Sequence, residues 1–414
     1  MEQKVIVLVG TFDTKGQEYL YVKELITKAG YAVVTIDVGT GARGKLVFTA
    51  DYSREEVVKV AKSSMPEVIA LGNEGKEVEI MEIMASGAAK ICQQLYQSGK
   101  LDGIISLGGH MGTDIATSIM RSLPFGVPKV MLSTVASGDT RPFVGTRDIV
   151  MMPSVADIVG LNRITETVLA QAAGAIMGMV SIEKPSREER PLVGMTVLGG
   201  TMVCALRVKK ELEERGYEVV VFHGNGIGGK TMEEFIKQGV ITSVFDLVPD
   251  EVVGHMYQAW NDAGPTRLET AGLKGIPQLI APGHLNQIIY DSADKIPERF
   301  RKHYVHRHGP SIYTLRAQKK EMVEIGEVVA TKLNKAVGPT AVIVPLKGLT
   351  IIDPIDKGFV DREADSALFE TLKRNLKPEI EVTEVDAHIN DEVFAKEATK
   401  MFLSLTSYSG SGCF

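Results

Sequence analysis

Two glycine-rich stretches of this chain, residues 106–113 and 222–231, each follow a run of apolar, largely β-branched residues. A strand that ends in glycines and turns into a helix presents unpaired backbone N–H groups, and the positive end of the helix dipole, to an anion. Both stretches therefore predict a site for a phosphate or a carboxylate.

The second stretch fits two phosphate-binding patterns at once, because residues 224–231 read G-x-x-x-x-G-K-T and residues 224–229 read G-x-G-x-x-G. In the first pattern the lysine reaches the terminal phosphates and the threonine holds magnesium. The predicted anion-site residues are Gly226, Gly228, Gly229, Lys230 and Thr231. Glu233 and Glu234 argue against this interpretation, since carboxylates at the start of a helix would repel a polyphosphate. A fortuitous match to the pattern is the alternative.

Small polar residues also follow three predicted strands in the first half, at residues 10–15, 108–113 and 133–139. Their backbone N–H groups and hydroxyls can hold phosphate oxygens, while Asp13 or Asp139 can hold Mg²⁺. Any one such loop is more typical of a turn or a helix cap than of a binding site, but three that converge favour a nucleotide. The predicted nucleotide-binding residues are Gly10, Thr11, Asp13, Thr14, Lys15, Gly108, Gly109, Gly112, Thr113, Ser133, Thr134, Ser137, Gly138 and Asp139.

Histidines at predicted strand ends in the second half are candidates for acid–base catalysis, because imidazole titrates near neutral pH. His223 and His284 follow apolar runs beside glycine, and His388 follows a third such run. We predict these three as catalytic residues. The alternative is a histidine that hydrogen-bonds the loop backbone and, near His388, a helix cap formed by Asn390 and Asp391.

Two further histidines, His306 and His308, lie at the end of a basic stretch and would share one face of a strand. A metal site would need a third ligand, and no carboxylate lies nearby in the sequence. A solvated basic surface or an anion contact is therefore the favoured interpretation.

The elements that position these residues repeat in the two halves of the chain. Residues 5–37 and 192–222 both read as strand, tight turn, helix, glycine and strand, with Gly30 and Gly216 where a left-handed helix end is expected. The charged, proline-containing residues 183–191 predict a linker. We predict an α/β protein of two Rossmann-like, doubly wound domains, residues 1–183 and 192–414, with mainly parallel sheets and a cleft between them. Ligands bind such sheets at the carboxyl ends of the strands.

Composition excludes several classes of function. A length of 414 residues exceeds one hydrophobic core, and a net charge of −6 with scattered basic residues argues against a nucleic-acid surface. Cys92, Cys204 and Cys413 lack the spacing of a disulfide framework or a zinc site. With no charged leader at the N-terminus and no apolar run long enough to span a bilayer, we expect a cytoplasmic protein without membrane insertion.

Beyond single motifs, the chain resembles a known family. Residues 10–15, 107–113, 123–129 and 133–139 resemble the ATP-binding domain of the tomato mosaic virus resistance protein and its bacterial homologues. The likeness continues through residues 154–164, 263–269, 332–334 and 388–395 and so spans essentially the whole chain. The resemblance implies two Rossmann-like subdomains, ATP held by the first and a homodimer. This chain departs from the family pattern at residues 223–229 and at His284.

Two functions from different classes follow. In the first, an ATP-dependent enzyme binds ATP and Mg²⁺ in its first domain and a small acidic metabolite near His223 and His284. In the second, a nucleotide-dependent regulatory or interaction protein uses ATP to stabilise one conformation or dimer without turnover. A dinucleotide dehydrogenase is a third alternative, because Asp37 ends the second strand, but residues 10–16 lack the G-x-G-x-x-G spacing.

Overall fold

A computed structural model describes residues 3–40, 46–183 and 189–408 of the chain. The chain divides into two compact units, Met1–Ser186 and Arg187–Phe414, called unit 1 and unit 2 below. The division falls within the predicted linker, of which residues 184–188 lie outside the described residues.

In the described part of unit 1, five parallel strands form one sheet with helices on both faces. The strands are β1 (Val5–Gly10), β2 (Ala32–Asp37), β3 (Gly103–Gly108), β4 (Lys129–Ser133) and β5 (Val150–Pro153). The helices are α1 (Phe12–Lys28), α2 (Arg54–Val60), α3 (Met65–Asn73), α4 (Glu77–Gln97), α5 (His110–Arg121), α6 (Arg141–Val144) and α7 (Arg163–Ser181). The strand order β2-β1-β3-β4-β5 is the flavodoxin-like order of doubly wound folds.

Alternation along β1 explains the two-sided core of unit 1. Val7 and Val9 pack with α4 and α5 on one face, whereas Ile6 and Leu8 pack with α1 and α7 on the other. By length and composition alone α7 could span a membrane, so the expectation that no segment meets that test is wrong. Its apolar side chains are nevertheless part of the unit 1 core, among them Leu169 and Ile176.

Unit 2 repeats the architecture of unit 1 with one more parallel strand. Its strands are β6 (Leu192–Val197), β7 (Glu218–His223), β8 (Ser243–Asp246), β9 (Gln278–Ile280), β10 (Gln287–Tyr290), β11 (Val305–Gly309), β12 (Ile312–Arg316), β13 (Thr340–Pro345) and β14 (Glu381–Val385). Its helices are α8 (Met202–Glu213), α9 (Ile227–Lys237), α10 (Glu251–Met256), α11 (Thr270–Lys274), α12 (Lys319–Leu333), α13 (Ile352–Ile355), α14 (Arg362–Asn375) and α15 (Glu392–Tyr408). The parallel sheet has the order β14-β13-β9-β8-β6-β7, and β10-β12-β11 form a separate antiparallel sheet that sequence reasoning missed.

Both units contain a topological switch point, where the chain leaves the first strand in opposite directions along the sheet. β1 pairs with β3 over only three residues, and β6 pairs with β8 over the same short length. Beyond those pairs the strands separate, which is where doubly wound sheets bind ligands. The predicted α/β class with two Rossmann-like parallel domains is confirmed, and Gly30 and Gly216 have the expected positive φ of 93° and 89°.

Candidate functional site

A tyrosine from α1 fills the switch point of unit 1. The Tyr19 hydroxyl accepts a hydrogen bond from the Leu107 N–H at 2.9 Å and donates to the Leu107 carbonyl at 2.5 Å. Gly10 must be glycine here, because a Cβ at that position would lie 1.8 Å from the Tyr19 oxygen. The predicted residue Gly10 therefore makes room for a core side chain.

The loops after β3 and β4 are joined by a chain of buried hydroxyls. The Val135 N–H donates to Ser133 Oγ at 3.1 Å, the hydroxyls of Ser133 and Thr113 lie 2.7 Å apart, and Thr113 Oγ1 donates to the Gly109 carbonyl at 2.7 Å. These bonds bring the two predicted loops together at one edge of the sheet. Because the Thr113 and Ser133 hydroxyls are used in these bonds, neither is directed at a ligand. The half-buried Thr134 is the next hydroxyl, with its Oγ1 3.8 Å from the Cβ position of Gly109.

Helix α5 begins at this edge without a capping side chain. Its N-cap is Gly109, no side chain in the described structure accepts from its first amides, and its first turn contains no acidic residue. The glycines keep the backbone close, since a Cβ on Gly108 would come within 3.1 Å of the Gly112 backbone. Such an N-terminus presents N–H donors and a positive dipole end to an anion.

The polar groups of the loop after β1 are hydrogen-bonded within the protein, some at the surface and some buried. The side chains of Thr11 and Thr14 bond each other at 2.9 Å near the surface, while Lys15 Nζ donates to the Ile158 carbonyl at 2.6 Å. Asp37 accepts from two backbone N–H groups in a buried position, and burial raises its pKa. A dinucleotide dehydrogenase would use this carboxylate to bind the ribose of its cofactor. Here Asp37 is already hydrogen-bonded to the Phe12 and Gly39 N–H groups.

The predicted magnesium ligands lie in different surroundings. Asp13 is 8% exposed beside Asp37, whereas Asp139 is exposed and pairs with Arg141, which lowers the Asp139 pKa to about 2. Ser137 and Gly138 lie in the exposed turn just before it. No group of three or more potential metal ligands occurs among the described residues. Magnesium bound to a nucleotide takes only one or two carboxylates, so this observation leaves those two predictions untested.

The glycine-rich loop of unit 2 is closed by a carboxylate of the protein itself. Glu251 Oε1 accepts from the Gly226 N–H at 2.7 Å and from the Gly229 N–H at 2.9 Å, while Asn225 accepts from the Gly228 N–H. A Cβ on Gly229 would lie 1.8 Å from Glu251. An external phosphate would have to displace this buried side chain.

The other residues of that predicted anion site do not converge on a ligand. Lys230 is exposed, and the Thr231 hydroxyl donates to the Ile227 carbonyl one turn earlier at 2.8 Å. The anion site at this loop remains a prediction from sequence, and the geometry gives it no free donor among the glycine amides described above.

Glu251 belongs to a buried charge cluster, defined as Glu233, Asp246, Asp250, Glu251 and Arg267. Arg267, 1% exposed, donates to Asp246 at 2.5 and 2.8 Å and to Glu251 at 2.7 Å. One guanidinium cannot balance four carboxylates, and burial raises the pKa of Glu233 and, together with the Glu251 charge, that of Asp250. Because Thr196 also donates to Asp246, the cluster fills the switch point of unit 2.

His284 lies in a strained, buried turn after β9. It is 5% exposed and has φ of +60°, a left-handed conformation that is uncommon outside glycine. Its Nδ1 donates to Gln287 Oε1 at 3.0 Å, whereas its Nε2 has no partner among the described residues. Burial lowers the His284 pKa to about 4, with smaller effects from His308 and His223, so the imidazole is neutral at neutral pH.

Further polar atoms without partners surround His284. In the described structure neither Gln287 Nε2 nor Asp353 Oδ1 has a hydrogen-bond partner, and the same is true of both amide atoms of the fully buried Asn286. Each such group costs about 1–3 kcal/mol when left unsatisfied. Several in one region indicate a binding site, for water or for a ligand.

Of the other predicted catalytic histidines, His388 is held by backbone on both sides. Its Nδ1 accepts from the Asn390 N–H at 3.1 Å and its Nε2 donates to the Thr350 carbonyl at 2.9 Å. His223 ends the edge strand β7 with its side chain exposed. The structure therefore places His388 beside the His284 region, through Thr350. His223 lies at the edge of the sheet, yet near enough for its charge to contribute to the lowered His284 pKa.

Sequence reasoning missed three groups of this region: Gly200, Gln287 and Thr350. All three follow strands of the parallel sheet or the turn at His284, so the strand-end rule that selected His284 applies to them as well. Sequence reasoning also missed the carboxylate partner of His306, since its Nδ1 lies 2.8 Å from Asp356 Oδ2 and Asp356 is fifty residues away in the sequence.

Comparison with known proteins identifies a family. Residues 4–185 match the N-terminal domain, and residues 190–406 the C-terminal domain, of an uncharacterised protein family, UPF0261. A UPF0261 protein of Clostridium tetani is 42% identical over 411 residues, covering 98% of this chain and 99% of that protein. The chain belongs to this family.

The predicted relationship to the tomato protein is confirmed. The ToMV susceptible protein tm-1(GCR26) of Solanum lycopersicum is 32% identical over 97% of this chain, and the chain spans 56% of the tomato protein. Among solved structures, the thioesterase domain from the curacin biosynthetic pathway aligns at 10% identity over 97% of this chain and 92% of that domain. Its TM-score of 0.17 carries no argument about fold or function.

Proposed function

We propose that this member of UPF0261 binds ATP in unit 1, at the carboxyl edge of the sheet, and uses it in a reaction on a second ligand held by unit 2. The observation that carries the nucleotide site is the start of α5, where glycine-flanked amides have no acceptor within the described parts of the chain although two predicted loops converge on them. A phosphate is the ligand that such a helix start favours.

The residues at this edge fit a nucleotide with magnesium. The amides at Gly109 and Gly112 and the Thr134 hydroxyl would hold phosphate oxygens, and the exposed Thr11 and Thr14 hydroxyls flank them on the neighbouring strand end. Magnesium would supply charge neutralisation on the phosphates. The tight approach of Gly108 to Gly112 shows why side chains are small here.

The second ligand is assigned to unit 2 because polar atoms without partners gather at His284. A small acidic metabolite is the class predicted from sequence. The alternative, a regulatory protein without turnover, is favoured by one observation: both ring nitrogens of the predicted catalytic residue His388 bond to backbone, which is a structural role.

Calorimetric titration of Mg·ATP into the wild type and into Gly112→Val tests the nucleotide site. The valine side chain would cover the first amides of α5, so we expect affinity to fall at least about tenfold, or about 1.4 kcal/mol. Gly174→Val is the matched control, because Gly174 lies on the exposed face of α7 with nothing within 4 Å of its Cβ position.

Turnover then separates the enzyme from the regulator. Release of ADP or AMP only when metabolite extract is added supports the ATP-dependent enzyme, whereas binding with no product under any condition supports the regulator. Equal ATP affinity in the wild type and Gly112→Val would remove the nucleotide from α5.

A further inference from the structure

A second polar site lies at the carboxyl ends of β9 and β13 in unit 2, and we call it the His284 site: His284, Gln287, Thr350 and Asp353. Its groups come from two loops that are distant in sequence. His284 Nδ1 donates to Gln287, and Asp353 Oδ2 accepts from the Leu349 and Thr350 N–H groups at 2.7 and 3.0 Å. Those contacts fix one polar atom each of His284, Gln287 and Asp353 and leave the other without a partner among the described residues.

A glycine marks the point where two of these groups, His284 and Thr350, meet. A Cβ placed on Gly200 would lie 2.6 Å from both His284 Nε2 and Thr350 Oγ1. His284 and Asp353 are 5% and 4% exposed, whereas Gly200 is half-buried, so it stands between solvent and the buried groups. The adjacent Gly199 is exposed and has nothing within 4 Å of its Cβ position.

The unpartnered atoms form a mixed set of acceptors and donors. His284 Nε2 is an acceptor, because Nδ1 carries the proton that Gln287 accepts, and Asp353 Oδ1 is a second acceptor. Gln287 Nε2 is a donor. The Thr350 hydroxyl beside them already accepts from the Ile352 N–H at 3.5 Å and can still donate. A hydroxyl group both donates and accepts, so neighbouring hydroxyls on a ligand match such a set.

Charge argues against binding a carboxylate or phosphate group directly at these atoms. Asp353 places an oxygen there, and the imidazole presents a lone pair. The buried Arg316, which donates to the Asn286 carbonyl at 3.5 Å, is committed to Asp365 at 2.6 Å. An anionic group at these atoms would therefore meet two acceptors, His284 Nε2 and Asp353 Oδ1.

We propose that the His284 site binds a polyhydroxylated ligand through its hydroxyl groups, with His284 Nε2 and Asp353 Oδ1 accepting and Gln287 Nε2 donating. The ligand is a polyol, a sugar or a sugar acid, and an acid group, where present, points away from these atoms. The assignment of this compound as the second ligand rests on the proposed ATP-dependent function, but its binding does not need nucleotide.

Saturation-transfer NMR on the full chain tests the ligand class, with ribitol, myo-inositol, D-glucose and D-gluconate as hydroxylated probes and succinate as the acid without hydroxyls. We expect at least one hydroxylated probe to bind and succinate not to. Binding of succinate alone, or of no probe at all, overturns the proposal, since water would then be the partner of these groups.

Two glycine variants locate the site. Gly200→Ala puts a methyl group between His284 Nε2 and Thr350 Oγ1 and should reduce binding of the probe at least tenfold. Gly199→Ala is the matched control and should bind as the wild type does. Equal binding by both variants would place the probe elsewhere.

A third variant tests polarity without changing shape. Asp353→Asn can still accept from the Leu349 and Thr350 N–H groups but turns the unpartnered acceptor into a donor. We expect probe binding to weaken, and the ¹⁵N signal of His284 Nε2, assigned from its loss in His284→Asn, to shift when the probe binds the wild type. Asparagine tolerates the left-handed φ at that position. An unshifted signal on binding would overturn the contact.

The same probes separate failure of this site from failure of the proposed function. Probe binding with no effect of ATP supports the His284 site and contradicts the coupled reaction. ATP binding at α5 without any probe binding supports the nucleotide site and contradicts the His284 site.

Discussion

The glycine-rich loops of the two units look alike in sequence but start their helices differently. In unit 2 the amides of Gly226 and Gly229 donate to the buried Glu251, whereas in unit 1 the first amides of α5 have no capping side chain in the described structure. A glycine-rich turn supplies donors, and the rest of the fold determines which anion they meet. The stronger motif match therefore belongs to the loop whose donors are already occupied.

The switch points show the same contrast. A neutral phenol, Tyr19, fills the gap between β1 and β3, while the gap between β6 and β8 contains the buried charge cluster around Arg267. Removing a neutral hydroxyl and removing a buried charge should lower the free energy of unfolding by different amounts. The contrast between the two units can therefore be measured.

Removal of the only guanidinium in the buried cluster should have the largest effect. Arg267→Ala leaves Asp246 and Glu251 buried without their counterion, so we expect the free energy of unfolding of unit 2 to fall by about 4 kcal/mol. Trp260, the single tryptophan, lies in unit 2 and reports urea unfolding by fluorescence. Lys295→Ala, which breaks an exposed pair with Asp291, is the control and should cost less than about 1 kcal/mol. Similar losses of unfolding free energy in both variants would mean that the buried charge cluster does not stabilise unit 2.

Replacement of Glu251, the carboxylate that closes the glycine-rich loop of unit 2, should give the second-largest loss in free energy of unfolding. Glu251→Ala frees the Gly226 and Gly229 amides and one side of Arg267, with an expected loss of about 3 kcal/mol. Sulfate should then stabilise this variant but not the wild type, because only the variant offers free donors. Glu298→Ala, which removes an exposed carboxylate, controls for general salt effects. Equal stabilisation of the wild type by sulfate would show that Glu251 does not occupy the anion position.

Loss of the Tyr19 hydroxyl should lower the free energy of unfolding by less than either substitution in the buried charge cluster. Tyr19→Phe leaves the Leu107 N–H and carbonyl without the hydroxyl, and an unmade buried hydrogen bond costs about 1–3 kcal/mol. Hydrogen exchange at the Leu107 amide should accelerate accordingly. Tyr21→Phe is the control, since the Tyr21 hydroxyl has no hydrogen bond among the described residues. Unchanged exchange in Tyr19→Phe would mean that the strands are held apart by other contacts.

The sequence predicted where the strands and glycine turns of both units end, but not which distant side chains contact them. Apolar runs followed by glycines located the ends of β1, β3, β7 and β9, because strand and turn preferences are local. The partner of the second loop, Glu251, lies more than twenty residues beyond Gly229, and no local pattern connects them. The loop that carries Thr350 and Asp353 reaches His284 only because β13 is the neighbour of β9 in the sheet. Side-chain partners set by strand order were therefore outside the reach of motif analysis.

A pH-dependent effect is expected from Asp250, the buried carboxyl of the cluster whose pKa is raised. Burial raises the pKa of Asp250, so the folded state keeps a proton that the unfolded state releases above roughly pH 4. Stability of the wild type should fall as pH rises from the unfolded pKa toward the folded one. Asp250→Asn keeps the bond from Asn261 and cannot ionise, so it should be more stable than the wild type at pH 7 and converge with it near pH 4, as urea unfolding at the two pH values would measure. Parallel pH profiles would contradict this assignment.

The smallest effect, and the sharpest test of the contrast, belongs to Lys230. In a phosphate-binding loop its ammonium would reach the terminal phosphates, whereas here it is exposed beside amides that already bond Glu251. Lys230→Ala should therefore leave Mg·ATP affinity within about twofold of the wild type, in the same titrations in which Gly112→Val loses at least about tenfold. A tenfold loss in Lys230→Ala with Gly112→Val unchanged would reverse the two loops: Glu251 would have to leave its amides when nucleotide binds, and the helix start in unit 1 would be a structural turn.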